Sequence, residues 1–251
     1  MTLRAQQNHF AAVAGHYASY RPSYPVSLIH DIVQLAGGAH ITALDVAAGN
    51  GQATNTLASV CAQVYASDLA YSQIAAMPRQ PNVHPYVSRA EQTGLPDKSI
   101  DLICVAQALH WFDGDAFHRE VRRIGKPGGV IAVWTYALLR ATPALTAIID
   151  DIYAETAAHW PADRAHVDNH YATLPFPYTR IPYNAPPMQV DFTRERLQGY
   201  LQTWSGVQRA IKAGNPDPVA ARADAFAAAW VQAADAPVSF TFDMTVLLGR
   251  L

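Results

Sequence analysis

Cysteine is almost missing from this chain. Cys61 and Cys104 are the two present in 251 residues. Two thiols cannot build a disulfide framework, and so few suit a reducing compartment, so a cytoplasmic setting is the expectation. Cys104 lies in an apolar run and reads as an inert core thiol. Charge is also sparse, at 15% Asp, Glu, Lys and Arg with a net value of −2. That balance gives no general attraction to nucleic acid or anionic lipid and no basic stripe, so neither partner is expected. No long hydrophobic run appears. The most apolar stretch, 130–149, is broken by Thr135, Arg140, Thr142 and Pro143 and does not read as a membrane span. The opening MTLRAQQNHFAAVAGHYASY has no apolar core of signal-peptide length, so no leader is expected. G-x-S-x-G is absent, as is any Ser-His-Asp order. His159, His166 and His170 lie near one another, but no Cys or Glu-x-x-His pattern accompanies them and no metal site is expected.

What is present is a substantial apolar fraction, 50% of residues, enough for one large α/β domain or a domain carrying an insertion. Pro25–Ala36 has helical spacing and ends at Gly37-Gly38. Strand-like runs at 41–46, 63–67, 83–87, 100–106 and 130–136 alternate with helix-compatible segments at 52–61, 71–77 and 115–124. That rhythm predicts a parallel sheet with right-handed crossovers. After Tyr136 it stops. TLPFPYTRIPYNAPP reads as a loop or edge segment, since proline cannot donate within a sheet interior. Helices are expected at 193–213 and 219–234. The closing VSFTFDMTVLLGRL reads as two strands forming an antiparallel end to the sheet. The fold expected is a doubly wound, mostly parallel, seven-stranded Rossmann-like α/β sheet forming one domain. It would comprise an N-terminal arm or lid at 1–37, a ligand-binding core at 38–136, a helical and aromatic cap inserted between strands 5 and 6 at 137–237, and final strands at 238–251.

ALDVAAGNGQAT, residues 43–54, ends the first strand where open α/β sheets bind ligands. The dinucleotide fingerprint G-x-G-x-x-G is incomplete here, because Thr54 stands at the third glycine position. Asp45, four residues before Gly49, would repel a pyrophosphate and suits a cationic ligand bearing an ammonium or sulfonium. Asp68 follows 23 residues after Asp45, at the end of the second strand, where a carboxylate can accept both hydroxyls of a ribose. The plainer alternatives are a turn carboxylate for Asp45 and a cap on the helix from Tyr71 for Asp68.

LDVAAGNGQAT, YASDLAYSQIAAM, RAEQTGLPDKSIDLICVAQALHWFD and EVRRIGKPGGVIAVWTY resemble, in order, the successive motifs of the class I S-adenosylmethionine-dependent methyltransferases, type 11 group. HFAAVAGHYASYRPSYP and YLQTWSGVQR are similar to segments of the trans-aconitate-methyltransferase-like proteins within it. One departure is Ala47, where the family turn usually has glycine. The resemblance implies S-adenosylmethionine as cofactor and methyl transfer to a small-molecule acceptor. It implies that Asp45 orients the methionine end, and that Ala47, Gly49 and Gly51 bring backbone against the cofactor. Asp68 would accept the ribose hydroxyls, Leu69 would pack on adenine, and Ala90 and Glu91 would flank the ring. Gln107 would line the methyl side, and His110 and Trp111 would face the acceptor as the catalytic candidates. Tyr17 or Arg21 would reach from the arm toward the cofactor carboxylate or an acidic substrate. The bland readings are a buried, hydrogen-bonded histidine for His110 and core packing for Trp111 and for most cap aromatics, namely Trp134, Tyr136, Trp160, Tyr171, Phe176, Tyr178 and Trp204.

Two other functions stay open on the residues: an NAD-type oxidoreductase on a similar sheet, and a cofactor binder without catalysis, which Ala47 keeps in play. Methyl transfer from a sulfonium is an in-line displacement that rests on positioning. A carboxylate acceptor needs no general base, so the lack of an obvious one is compatible with carboxyl methylation. Monomer and homodimer both fit the sequence.

Overall fold

The computed structural model describes residues 20–251. Among these, eight strands form one sheet: β1 (Thr42–Val46), β2 (Gln63–Asp68), β3 (Val83–Val87), β4 (Ile100–Ala106), β5 (Gly125–Arg140), β6 (Thr179–Arg180), β7 (Met188–Phe192) and β8 (Val238–Arg250). Their order is β3-β2-β1-β4-β5-β8-β6, with β7 also on β8. The first five strands pair in parallel, and β8 runs antiparallel to β5, β6 and β7. The mostly parallel, doubly wound α/β sheet expected from the alternation is therefore present, with seven strands plus an extra one.

Helices cover both faces, which is why β1 and β4 are apolar almost throughout. On one face lie α1 (Val26–Leu35) and α2 (Gln52–Val60), burying Leu28, Ile29, Ile32, Ala53 and Leu57. The other face carries α4 (Gly114–Ile124), which buries Phe117, Val121 and Ile124. Between them in sequence comes the short α3 (Tyr71–Ala76). The cap segment supplies α5 (Pro143–Glu155), α6 (Arg164–Asp168), α7 (Arg194–Gln202), α8 (Ser205–Lys212) and α9 (Ala223–Ala229).

Four expectations change in detail, and a fifth, the helix over 219–234, shortens to a 3-10 turn at Ala220–Arg222 followed by α9, which ends at Ala229. The final stretch is one 13-residue strand, not two, because its residues from Thr241 to Arg250 pair with β5 and those from Val238 to Phe242 with β7. The fifth strand is longer than 130–136, since β8 extends its pairing to Arg140. The segment 137–237 is partly sheet: β6 and β7 add to the outer side of β8, and the proline-rich run around β6 limits it to two residues. The helix expected over 193–213 is two helices. Thr203 turns its hydroxyl onto the Tyr200 carbonyl at 2.6 Å, and Trp204 adopts extended backbone between them.

Strand order reverses between β1 and β4. Register places Val46 beside Ser67 and Val105, so Ala47, Asp68 and Gln107 leave the sheet side by side at its carboxyl edge. No helix among the described residues is long and apolar enough to cross a membrane.

Candidate functional site

Two cavities adjoin at that edge. The larger is about 380 Å³ and the smaller about 150 Å³. Both volumes are modest, and the larger falls in the usual range for small-ligand sites, roughly 300–1,000 Å³. Arg21, Gln73, Gln107, Trp111 and Tyr136 line both.

The larger cavity is built on the turn after β1. Ala47 and Gly49 take left-handed backbone, with φ of 55° and 58°. For Gly49 that conformation is free, whereas Ala47 bears a steric cost of roughly 1–2 kcal/mol. Asp45 is wholly buried behind the turn. Its Oδ2 accepts from the Thr54 hydroxyl at 2.6 Å, and its Oδ1 has no partner among the described residues. Desolvation is the main reason its carboxyl is raised to about 7. Asp68 fastens two turns together: Oδ2 accepts from Gly49 N–H at 2.9 Å and Oδ1 from Ala70 N–H at 2.8 Å. Burial raises its pKa while these backbone donors lower it. Each oxygen keeps further acceptor capacity toward the cavity.

Leu69, Ala90 and Glu91 form the part of the wall beyond Asp68. Glu91 accepts from Asp113 N–H at 3.1 Å and pairs with Arg89 at 3.3 Å, which ties the loop after β3 to the start of α4. Gln107, like Ala47, is a non-glycine residue with positive φ, 58°. Trp134 O holds its backbone N–H at 2.8 Å.

Of the cofactor candidates, Arg21, Asp45, Ala47, Gly49, Asp68, Leu69, Ala90, Glu91 and Gln107 line this cavity. Gly51 does not. Its φ is 94°, and an added Cβ would meet Met77 Cγ at 2.9 Å, so this glycine serves the packing of α2 on the end of α3. Tyr17 lies outside the described residues. Trp111 lines both cavities, and His110 lines the smaller one alone. Thr54 was legible only as a failed third glycine. Its hydroxyl is the donor that holds Asp45.

The smaller cavity lies under the cap. Trp160, Tyr200 and Trp204 contribute to it, as do Arg164 and Gln208. Arg164 packs over the Trp160 ring at 4.9 Å and pairs through Nε with Asp168 Oδ1 at 2.9 Å. Among the described residues, no aspartate or glutamate lines this chamber. His110 Nδ1 is 2.8 Å from Tyr171 Oη. Burial, then Arg164 and His166, push its pKa down to about 3, so the ring is neutral. Among the cap aromatics, Trp134 is core, edge-on to Tyr24 at 5.5 Å. Phe176 and Tyr178 pack with the α4 face, away from both cavities. His166 and His170 contact Thr173 and Thr245 by their Nδ1 atoms at 3.0 Å.

A doubly wound sheet with an acid at each of two adjoining strand tips and a left-handed turn between them defines a nucleoside-cofactor enzyme of the Rossmann-like class. Residues 44–133 match the type 11 methyltransferase domain family. A methyltransferase from Dictyostelium discoideum is 31% identical over 212 residues, covering 83% of this chain and 81% of that protein. A solved structure described as a type II methyltransferase from Anaeromyxobacter dehalogenans is 39% identical, with a TM-score of 0.84 over 92% of this chain and 97% of its own. The chain belongs to the class I S-adenosylmethionine-dependent methyltransferases, and S-adenosylmethionine is its cofactor. The fold alone is shared with the [4+2]-cyclase SpnF, at 15% identity and a TM-score of 0.57. These relatives do not carry the narrower resemblance to the trans-aconitate group, and neither an oxidoreductase nor a non-catalytic binder is favoured.

The site fits that cofactor. A buried carboxylate oxygen without a partner among the described residues, Asp45 Oδ1, suits a cationic ligand end, and Asp68 suits vicinal hydroxyls.

Proposed function

We propose that the enzyme methylates a small organic acid held in the smaller chamber. The observation that carries this reading is the chamber's charge: Arg21 and Arg164 on its wall, and no carboxylate there among the described residues. A carboxylate acceptor gains from such a wall, and a cationic amine is repelled by it.

In this reading Asp45 and the turn after β1 hold the methionine end of the cofactor, Asp68 the ribose, and Leu69 with Ala90 and Glu91 the adenine. Bound there, S-adenosylmethionine supplies an activated sulfonium methyl. The chain's own part is to position the acceptor and exclude water. Trp111, Gln107 and Tyr136 border both cavities, so they flank the passage between donor and acceptor. Orientation of that kind is worth roughly 7–11 kcal/mol in favourable cases. An ionised carboxylate loses no proton when methylated, so the neutral His110 is not required as a base.

Transfer of labelled methyl from S-adenosylmethionine tests the proposal against matched sets of carboxylates, their amides, amines and phenols. Turnover confined to carboxylates is expected. Turnover of amines or phenols with carboxylates inert refutes it.

A further inference from the structure

Several walls of the smaller chamber are aromatic rings, and one of these rings rests on a residue with no side chain. Gly206 is the second residue of α8, and its φ lies outside the left-handed region, so backbone conformation does not call for glycine there. The lack of space above it does. A Cβ at Gly206 would meet Trp160 Cε2 at 2.6 Å, Nε1 at 2.7 Å and Cδ2 at 2.9 Å. The indole therefore lies against the helix backbone. Other neighbours hold it as well. Nε1–H donates to the Thr156 hydroxyl oxygen at 3.2 Å, and buried Thr156 turns its own hydrogen onto the Ile152 carbonyl at 2.8 Å. The rings of Tyr153 and Trp204 stand 5.0 Å and 5.7 Å from that of Trp160, centroid to centroid. A ring so placed cannot retreat toward α8 to admit a larger guest. The chamber it bounds is about 150 Å³. A cavity of that volume holds a molecule about the size of benzene.

We propose that Trp160 is the specificity-determining residue for acceptor size, with Gly206 as its positioning residue, and that the acceptor is limited to about the bulk of one benzene-sized ring. The size limit rests on the acceptor binding in the smaller chamber, and not on its being an acid. Trp160 lines that chamber and not the larger cavity, so it acts on the acceptor and leaves the cofactor alone. Exclusion is the physical cause. Close-packed interiors compress little, and one methylene more or less in a pocket changes discrimination by roughly 10–200-fold.

Kinetics with acceptors of increasing bulk, taken from whichever acceptor class reacts, read the limit. The measure is kcat/KM for a member bulkier than one ring divided by that for a member below it. This ratio does not depend on how much of the enzyme is folded, so a merely structural role leaves it unchanged. In wild type the larger member should be poorer by roughly tenfold or more. Trp160→Phe and Trp160→Leu should each raise the ratio about tenfold, with cofactor KM unchanged. A wild type that takes both members equally, or a ratio unmoved in both variants, overturns the size limit. Failure of carboxylates while another class reacts would refute the preceding proposal and not this one. Melting curves read the seat: Gly206→Ala should lower Tm in wild type but not in Trp160→Leu, where the indole is gone. An equal loss in both backgrounds overturns the role of Gly206.

Discussion

The Thr54 hydroxyl donates to Asp45 Oδ2 across 2.6 Å. Thr54 is on the first turn of α2 and Asp45 is in β1, so this bond locks the helix start to the strand behind the larger cavity. It leaves Oδ1 as the atom with capacity to meet a ligand.

Thr54→Val keeps the shape and removes the donor. Asp45 then loses its one hydroxyl partner in a fully buried place, and stability should fall by about 1–3 kcal/mol. Cofactor affinity should fall as well, because the carboxyl becomes harder to ionise. Calorimetric titration and thermal denaturation measure the two effects. Full affinity in the variant would remove Thr54 from the site.

Asp45 also sets a pH dependence. Its folded value of about 7 lies above the ordinary 3.8, so between these the folded protein without cofactor holds a proton that the unfolded chain has lost. The stability this contributes is complete below the unfolded value and is lost as pH rises through about 7. An ammonium-bearing ligand favours the ionised form, so its affinity should rise over the same interval and binding should release a proton. Calorimetry in buffers of different ionisation enthalpy counts that proton. Zero release below pH 7 would mean that Asp45 is already ionised.

Asp68→Ala should weaken cofactor binding at least tenfold. It also strips the acceptor from the Gly49 and Ala70 N–H groups, so a stability loss of about 1–3 kcal/mol should accompany it. Asp68→Asn keeps one carbonyl acceptor and should fold better while still binding poorly. Equal affinity in Asp68→Asn and wild type would take the ribose role from this carboxylate.

Two neighbouring small residues should respond in opposite ways. Ala47→Gly relieves left-handed strain and should raise Tm by a few degrees, with cofactor affinity kept. Gly51→Ala meets Met77 and should destabilise, with partial recovery when Met77→Ala is added. Melting curves of the four proteins suffice.

Arg164→Gln should raise KM for a carboxylate acceptor about tenfold and leave cofactor affinity intact, since Arg164 lines the smaller chamber alone. Steady-state kinetics with each substrate varied would separate the two effects. A change confined to cofactor KM would place the arginine's effect elsewhere.

The sheet and the turn were open to reading because their signals are local. Strand periodicity, the glycine bend and the spacing of Asp45 and Asp68 depend on neighbours in sequence and on the short reach of a βαβ unit. The two-stranded reading of the chain end failed for the opposite reason: β8 is continuous because β5 lies beside it, a contact made across about a hundred residues. Gly51 looked like a cofactor residue by its place in the bend, and Met77 decided that its lack of a side chain serves packing.

By itself the sequence determined the fold class, the cofactor and the two strand-tip acids, since each is written in short, ordered patterns. Only the tertiary structure decided the smaller chamber. Arg21, Arg164, Trp204 and Tyr136 come from the arm before α1, the cap and the fifth strand, and no periodicity links them. Their shared surface exists because the cap folds back over the sheet's carboxyl edge, where packing rather than local pattern chooses which side chains meet.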